Sequence, residues 1–100
     1  LGEAEVRLHG LVVRPDEQRV LRDGIEIPLT NREFQLLTAL LRRPGVVFTR
    51  EQLLAQVWGV DFVGETRTVD VHIQRLRKKL GWEGYIATVH RAGYRLEGEP

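Results

Sequence analysis

The 100-residue chain contains no cysteine, no methionine and no serine. The first absence excludes a disulfide framework, a thiolate zinc site and a cysteine nucleophile. The last excludes every serine nucleophile. The missing methionine predicts a segment of a longer protein, with a further domain upstream of Leu1. No apolar run approaches the roughly 18 residues of a membrane span, and no signal-peptide pattern opens the chain. A cytoplasmic location without membrane contact is therefore expected. No glycine-rich phosphate loop occurs. His9, His72 and His90 are scattered with no carboxylate cluster beside them, so neither a metal nor a cofactor is expected. The adjacent acids Asp16-Glu17 lie in a turn sequence and read as solvated. This inventory does not describe an enzyme.

Hydrophobic residues make up 42% of the chain and charged residues 29%, proportions that suit one globular core in a length too short for two. The net charge of +1 hides an asymmetry. Residues 1–29 hold 4 basic and 6 acidic groups, residues 30–66 hold 4 of each, and residues 67–100 hold 7 and 4. Within 67–79, 5 cations stand against Asp70 alone. A basic third on a nearly neutral chain points to one charged face aimed at an anionic partner.

The first 28 residues read as four short antiparallel strands: Val6–Leu8, Leu11–Arg14, Arg19–Arg22 and Ile25-Glu26-Ile27. His9-Gly10, Pro15-Asp16-Glu17 and Asp23-Gly24 supply the turns. Thr30-Asn31-Arg32-Glu33 is a capping box that opens a helix running to Arg43, where Pro44-Gly45 stops it. Phe34, Leu37, Leu40 and Leu41 fall at helical spacing and face the core. Residues 46–48 read as a short extended link. Thr49-Arg50-Glu51-Gln52 is a second capping box, opening a helix with Leu53, Leu54, Val57 and Trp58 on its apolar side and Gly59 at its end. A loop over 59–65 carries Phe62 and Val63. A third helix runs from near Thr66 to before Gly81. Ile86–Val89 and a run from Tyr94 to Glu97 form a hairpin through His90-Arg91-Ala92-Gly93.

On a wheel of about 100° per residue, Val69, Ile73, Leu76 and Leu80 of the third helix share a buried stripe. Arg67, Val71, Gln74, Arg75 and Lys78 lie opposite, with Thr68 at one edge. A solvated helix face normally mixes signs through i,i+4 pairs, and this face has no acid near its centre. Arg75 suits paired bonds to guanine, Gln74 suits adenine and Val71 suits a thymine methyl, the chemistry of a DNA major groove. Cations on the flanks suit phosphates. A protein-docking face for an acidic partner stays open beside this reading. Base-specific duplex binding would support the first, and its absence the second. Arg91 at the hairpin tip, with Arg95 on the return strand, would reach an adjacent minor groove.

Four segments carry a resemblance that spans nearly the whole chain: Leu29-Thr30-x-x-Glu33-Phe34-x-Leu36-Leu37; Leu53-x-x-x-Val57-Trp58; Arg67-Thr68-Val69-Asp70-Val71-His72-Ile73-x-Arg75-Leu76-Arg77-Lys78-Lys79-Leu80; and Thr88-Val89-x-x-x-Gly93-Tyr94-Arg95. Together they resemble the winged-helix effector domain of OmpR/PhoB-type response regulators. The resemblance implies an α+β fold, a winged helix-turn-helix. Its parts would be an N-terminal four-stranded antiparallel sheet (1–28), a three-helix core (29–80) and a C-terminal β-hairpin wing (85–97). It implies sequence-specific binding of double-stranded DNA as the output of a two-component transcriptional regulator. The third helix would enter the major groove and the wing the minor groove, with two copies head to tail on direct repeats. A receiver domain upstream and a cognate histidine kinase would complete the system.

Carried over by position, Arg75 becomes the leading base contact. Arg67, Thr68, His72, Arg77 and Lys78 become phosphate or groove-edge contacts, and Trp58 approaches the backbone. Thr88 and Tyr94 match wing positions near phosphates. The loop after Trp58 resembles the segment that meets RNA polymerase, with Phe62 and Val63 as its apolar contacts. There are two departures. The family wing commonly reads T-V-R-G-x-G-Y-R; here His90 holds the arginine position and Arg91 follows it, so the minor-groove contact falls to Arg91. Gln74 stands where an arginine often occurs.

Overall fold

The structure, a computed structural model, describes residues 5–99. Strands β1 (Val6–Leu8), β2 (Leu11–Arg14), β3 (Arg19–Arg22) and β4 (Ile25–Glu26) pair antiparallel in chain order. Two of the connections are left-handed two-residue turns, His9 (φ 47°) with Gly10 (φ 80°) and Asp23 (φ 51°) with Gly24 (φ 80°). Such turns follow the twist of the paired strands, and glycine adopts the second position without a steric penalty. Leu8, Leu11, Val13 and Val20 are buried on the face that meets the helices. β4 stops one residue before the expected Ile27, because Pro28 follows and has no amide to donate.

Helix α1 (Asn31–Leu41) starts with both halves of its capping box formed. The Glu33 amide donates to Thr30 Oγ1 at 3.2 Å and the Thr30 amide donates to Glu33 Oε1 at 2.9 Å. The regular helix ends at Leu41, two residues short of the expected Arg43. Helix α2 (Arg50–Leu53) also has both halves of its box, between Thr49 and Gln52 at 3.0 and 2.8 Å. It continues as a π-turn over Leu54–Trp58, a widening that the sequence reading did not contain. The Gly59 amide closes that turn on the Leu54 and Ala55 carbonyls.

Helix α3 (Arg67–Leu80) buries the stripe expected of it: Val69, Ile73, Leu76 and Leu80 are all at 0% exposure. Together with Leu36, Leu37 and Leu40 of α1 they form the centre of the core. Each such side chain contributes about 1.5–3 kcal/mol through burial. Gly81, at φ 67°, ends the helix in the left-handed conformation. The Arg22 guanidinium donates to the Leu80 carbonyl, so the N-terminal sheet caps α3.

The segment read as a link contains a strand, β5 (Val47–Phe48). With β6 (Ile86–Val89) and β7 (Gly93–Leu96) it makes a second sheet in the order β5-β7-β6. The return strand starts at Gly93, one residue earlier than expected, since Gly93 pairs with Val89. A Cβ at Gly93 would lie 1.9 Å from the Phe48 carbonyl oxygen, so the β5–β7 approach requires glycine there. His9 joins the two sheets. Its ring stacks on Tyr85 at 3.7 Å, and its Nε2 lies 2.6 Å from the Glu97 carbonyl.

Candidate nucleic-acid interface

The exposed side of α3 is the surface the wheel describes. Arg67, Val71, Gln74, Arg75 and Lys78 are exposed, and Val71 keeps 41% of its surface despite being apolar. Val71, Gln74, Arg75 and Lys78 line one shallow concavity, joined at its end by Glu83 from the turn after the helix. Lys78 stands in the last turn with Arg77 and Lys79, where cations complement the helix dipole. The one acid of the helix, Asp70, is neutralised within the fold. Arg50, the first residue of α2, grips it with Nη2 to Oδ2 at 2.7 Å and Nε to Oδ1 at 2.9 Å. The exposed face of α3 is therefore cationic and polar around the single apolar Val71.

Other residues named from the sequence have structural duties. His72 Nδ1 lies 2.9 Å from the Thr68 carbonyl, and its ring meets the edge of Trp58 at 4.8 Å. Trp58 is half-buried, with the Arg32 guanidinium over its ring at 5.8 Å. Trp82 belongs wholly to the core. Arg77 donates from Nε to the Ile86 carbonyl at 2.9 Å and from Nη2 to Thr88 Oγ1 at 2.7 Å, which ties α3 to the wing. Thr88 itself stays exposed.

Tyr94 is 5% exposed, and its hydroxyl donates to Asp70 Oδ1 at 2.6 Å. This bond directs the hydroxyl toward α3. Burial first, and then the Asp70 carboxylate, push the phenol above its ordinary pKa. The same carboxylate holds Arg50 more firmly protonated. The pairing of Arg50 with Asp70 was not read from the sequence, since their separation of 20 residues carries no local signal.

The wing tip is a three-residue loop between the paired Val89 and Gly93. Arg91 lies at its centre, exposed, with φ 61°. The left-handed position thus falls to Arg91 itself. In the loop after α2, Val63 is 98% exposed whereas Phe62 is 38% exposed. Phe62 turns back over Gly64 and toward Trp58, with ring centroids 6.4 Å apart.

An ion pair with one buried partner joins α1 to α3. Glu33 of α1 is fully buried, and its Oε1 accepts from Lys79 Nζ of α3 at 2.7 Å as well as from the Thr30 amide. Burial pushes this carboxyl up, but Lys79 and the Thr30 amide outweigh it and hold the pKa below the usual glutamate range. The sequence reading saw the cap and missed the lysine. Among the described residues no group of three His, Cys, Asp or Glu side chains is placed to hold a metal ion. No helix among them is long and apolar enough to cross a membrane.

The family model described as "Transcriptional regulatory protein, C terminal" matches residues 24–96. The chain is 44% identical over 97 residues to the alkaline phosphatase synthesis transcriptional regulatory protein SphR of Synechococcus elongatus, covering 93% of this chain and 38% of that protein. It is 45% identical over 93 residues to the regulatory protein VanRB of Enterococcus faecalis, covering 93% of this chain and 42% of that protein. The chain thus spans about two fifths of the length of these curated relatives. Among solved structures, the Klebsiella pneumoniae RstA DNA-binding domain in complex with the RstA box superposes with a TM-score of 0.84 at 31% identity, covering 95% of this chain and 98% of that one.

Proposed function

The chain belongs to the family of transcriptional regulatory protein C-terminal domains, and from that premise we propose that it reads duplex DNA through α3. It is a winged-helix effector domain of OmpR/PhoB type, a regulator and not an enzyme. The observation that carries the proposal is the sign of the exposed α3 face. Arg67, Arg75 and Lys78 project with Gln74 and Val71, and the only acid of the helix is bound by Arg50.

In this reading Arg75, Gln74 and Val71 meet base edges in the major groove, and Arg75 supplies the paired donors that guanine O6 and N7 accept. Arg67, Thr68, Lys78, His72, Trp58 and Thr88 lie along the phosphates and fix the register without reading sequence. Arg77 serves this surface from behind, through its bonds to the wing. Arg91 enters the neighbouring minor groove, where a narrow groove concentrates negative potential. One domain offers few base contacts, so two copies bind head to tail on direct repeats, and the second contact becomes effectively intramolecular. The exposed Val63 and partly covered Phe62 meet RNA polymerase. In the whole protein a receiver domain precedes this one and a histidine kinase phosphorylates it, which raises the population of the paired state.

Selection from a randomised duplex pool at two salt concentrations, run beside Arg75→Ala, tests the reading. A direct-repeat motif is expected, with affinity falling steeply with salt and Arg75→Ala flattening one motif position. If no motif is enriched and Arg75→Ala behaves as the unaltered chain, the face is not a base reader. Docking of an acidic protein on the same cations then becomes the working explanation.

A further inference from the structure

The ring of Tyr94 sits between two groups of α3. Its hydroxyl donates to Asp70 Oδ1 at 2.6 Å, in the first turn of the helix. The guanidinium of Arg77, in the last turn, lies over the ring at 5.5 Å. Arg77 then continues to the opposite wing strand, bonding the Ile86 carbonyl and Thr88 Oγ1. Asp70 is itself held by Nε and Nη2 of Arg50. One tyrosine thus bridges a helix and a hairpin at two points along the helix axis, and both strands of the hairpin are included.

Such a bridge sets a length. The reading face of α3 and the tip residue Arg91 must address neighbouring grooves of one duplex, so the distance and angle between them decide whether both engage at once. A mobile wing would bear the ordering cost at each encounter. Building on the functional reading above, we propose that Tyr94 is a positioning residue that holds Arg91 at a fixed offset from α3. The Asp70 bond and the Arg77 stack are its two anchors, and the hydroxyl makes no phosphate contact of its own. Sequence preference at the minor-groove flank then depends on a residue that touches no DNA.

The test applies the same duplex selection to the chain and to Tyr94→Phe, Arg91→Ala and the double variant. Tyr94→Phe keeps the ring and the cation contact and removes only the bond to Asp70. A thermal melt of each variant controls for folding. Arg91→Ala is expected to erase the preference at the flanking positions. Tyr94→Phe is expected to erase the same preference while leaving the position read by Arg75 intact. In titrations on the selected duplex, the double variant is expected to bind within about twofold of Arg91→Ala alone, because the two changes act through one contact.

A merely structural tyrosine would weaken the major-groove and flank positions together, and that result overturns the inference. So does an unchanged flank preference in Tyr94→Phe, or a double variant whose losses multiply, as a separate phosphate contact would require. If the unaltered chain selects no motif, the functional reading fails and this inference falls with it. That outcome is recognised before any variant is compared.

Discussion

The pair between buried Glu33 and exposed Lys79 allows a quantitative test of how α3 is held. Replacing Lys79 by methionine keeps most of the stem and deletes the ammonium. The Glu33 carboxylate, 1% exposed, is left with the Thr30 amide alone on Oε1, and no partner is placed on Oε2. Breaking a fully buried pair costs about 3–5 kcal/mol. The Lys79 side chain is 39% exposed, however, so water reaches the vacated position and screens the loss. About 2 kcal/mol is therefore expected at pH 7, which lowers the melting temperature of a domain of this size by about 8–16 °C.

The pH dependence gives an independent reading. In the native chain the Glu33 pKa lies below the ordinary range, so between the two values the unfolded state binds more protons. The stabilisation from Glu33 is complete above the ordinary glutamate range and is lost as pH falls through the lowered folded value. In Lys79→Met burial is no longer outweighed by the ammonium, so the folded pKa rises, and the acid loss of stability from this group disappears or reverses into a gain as pH falls. Thermal melts followed by circular dichroism between acid and neutral pH measure both effects. The reasoning is refuted if Lys79→Met melts within about 2 °C of the parent at pH 7 and follows the same acid profile.

Other outcomes follow from the same structure. Arg75→Ala is expected to cost about 1–3 kcal/mol of discrimination at one base position, read by competition between duplexes differing there. Lys78→Ala should weaken binding to all duplexes about equally and reduce the logarithmic salt slope by about 1, measured by titration across ionic strength. Gly93→Ala should prevent the β5–β7 pairing, because the added Cβ would lie 1.9 Å from the Phe48 carbonyl oxygen; a collapse of the cooperative melt checks this. Leu76→Ala, at a site with 0% exposure, should cost about 2–5 kcal/mol in chemical denaturation.

What the sequence disclosed was local. Capping boxes at Thr30 and Thr49, glycines in two left-handed turns, and the i,i+3,i+4 stripe of α3 each act within one turn of chain, and all stand in the structure. The exposed face of α3 followed from the same periodicity. The missed features are non-local or too short to show a period. β5 is two residues long and owes its existence to a partner 46–48 residues away, so 46–48 read as a link. Lys79 reaches a carboxylate 46 positions back. Arg50, Asp70 and Tyr94 meet only because three elements converge. Tyr94 in particular lies on a wing strand, where a surface contact was the natural expectation, and its burial depends on the helix beneath it. The π-turn has no signature in residues 54–58, whose apolar spacing suits an ordinary helix equally well.

The central place of β7 in its sheet bears on synthesis. A ribosome delivers β5 early, then α2, α3 and β6, and only afterwards Gly93–Leu96, the strand to which both β5 and β6 bond. Until those four residues emerge, Phe48 and Ile86 have no neighbour strand, and Arg91 has no framework to be presented on. The domain is thus assembled by the last of its strands to be translated. A ribosome stalled before Gly93 leaves a helical core with two open strand edges, a species prone to pair with other chains.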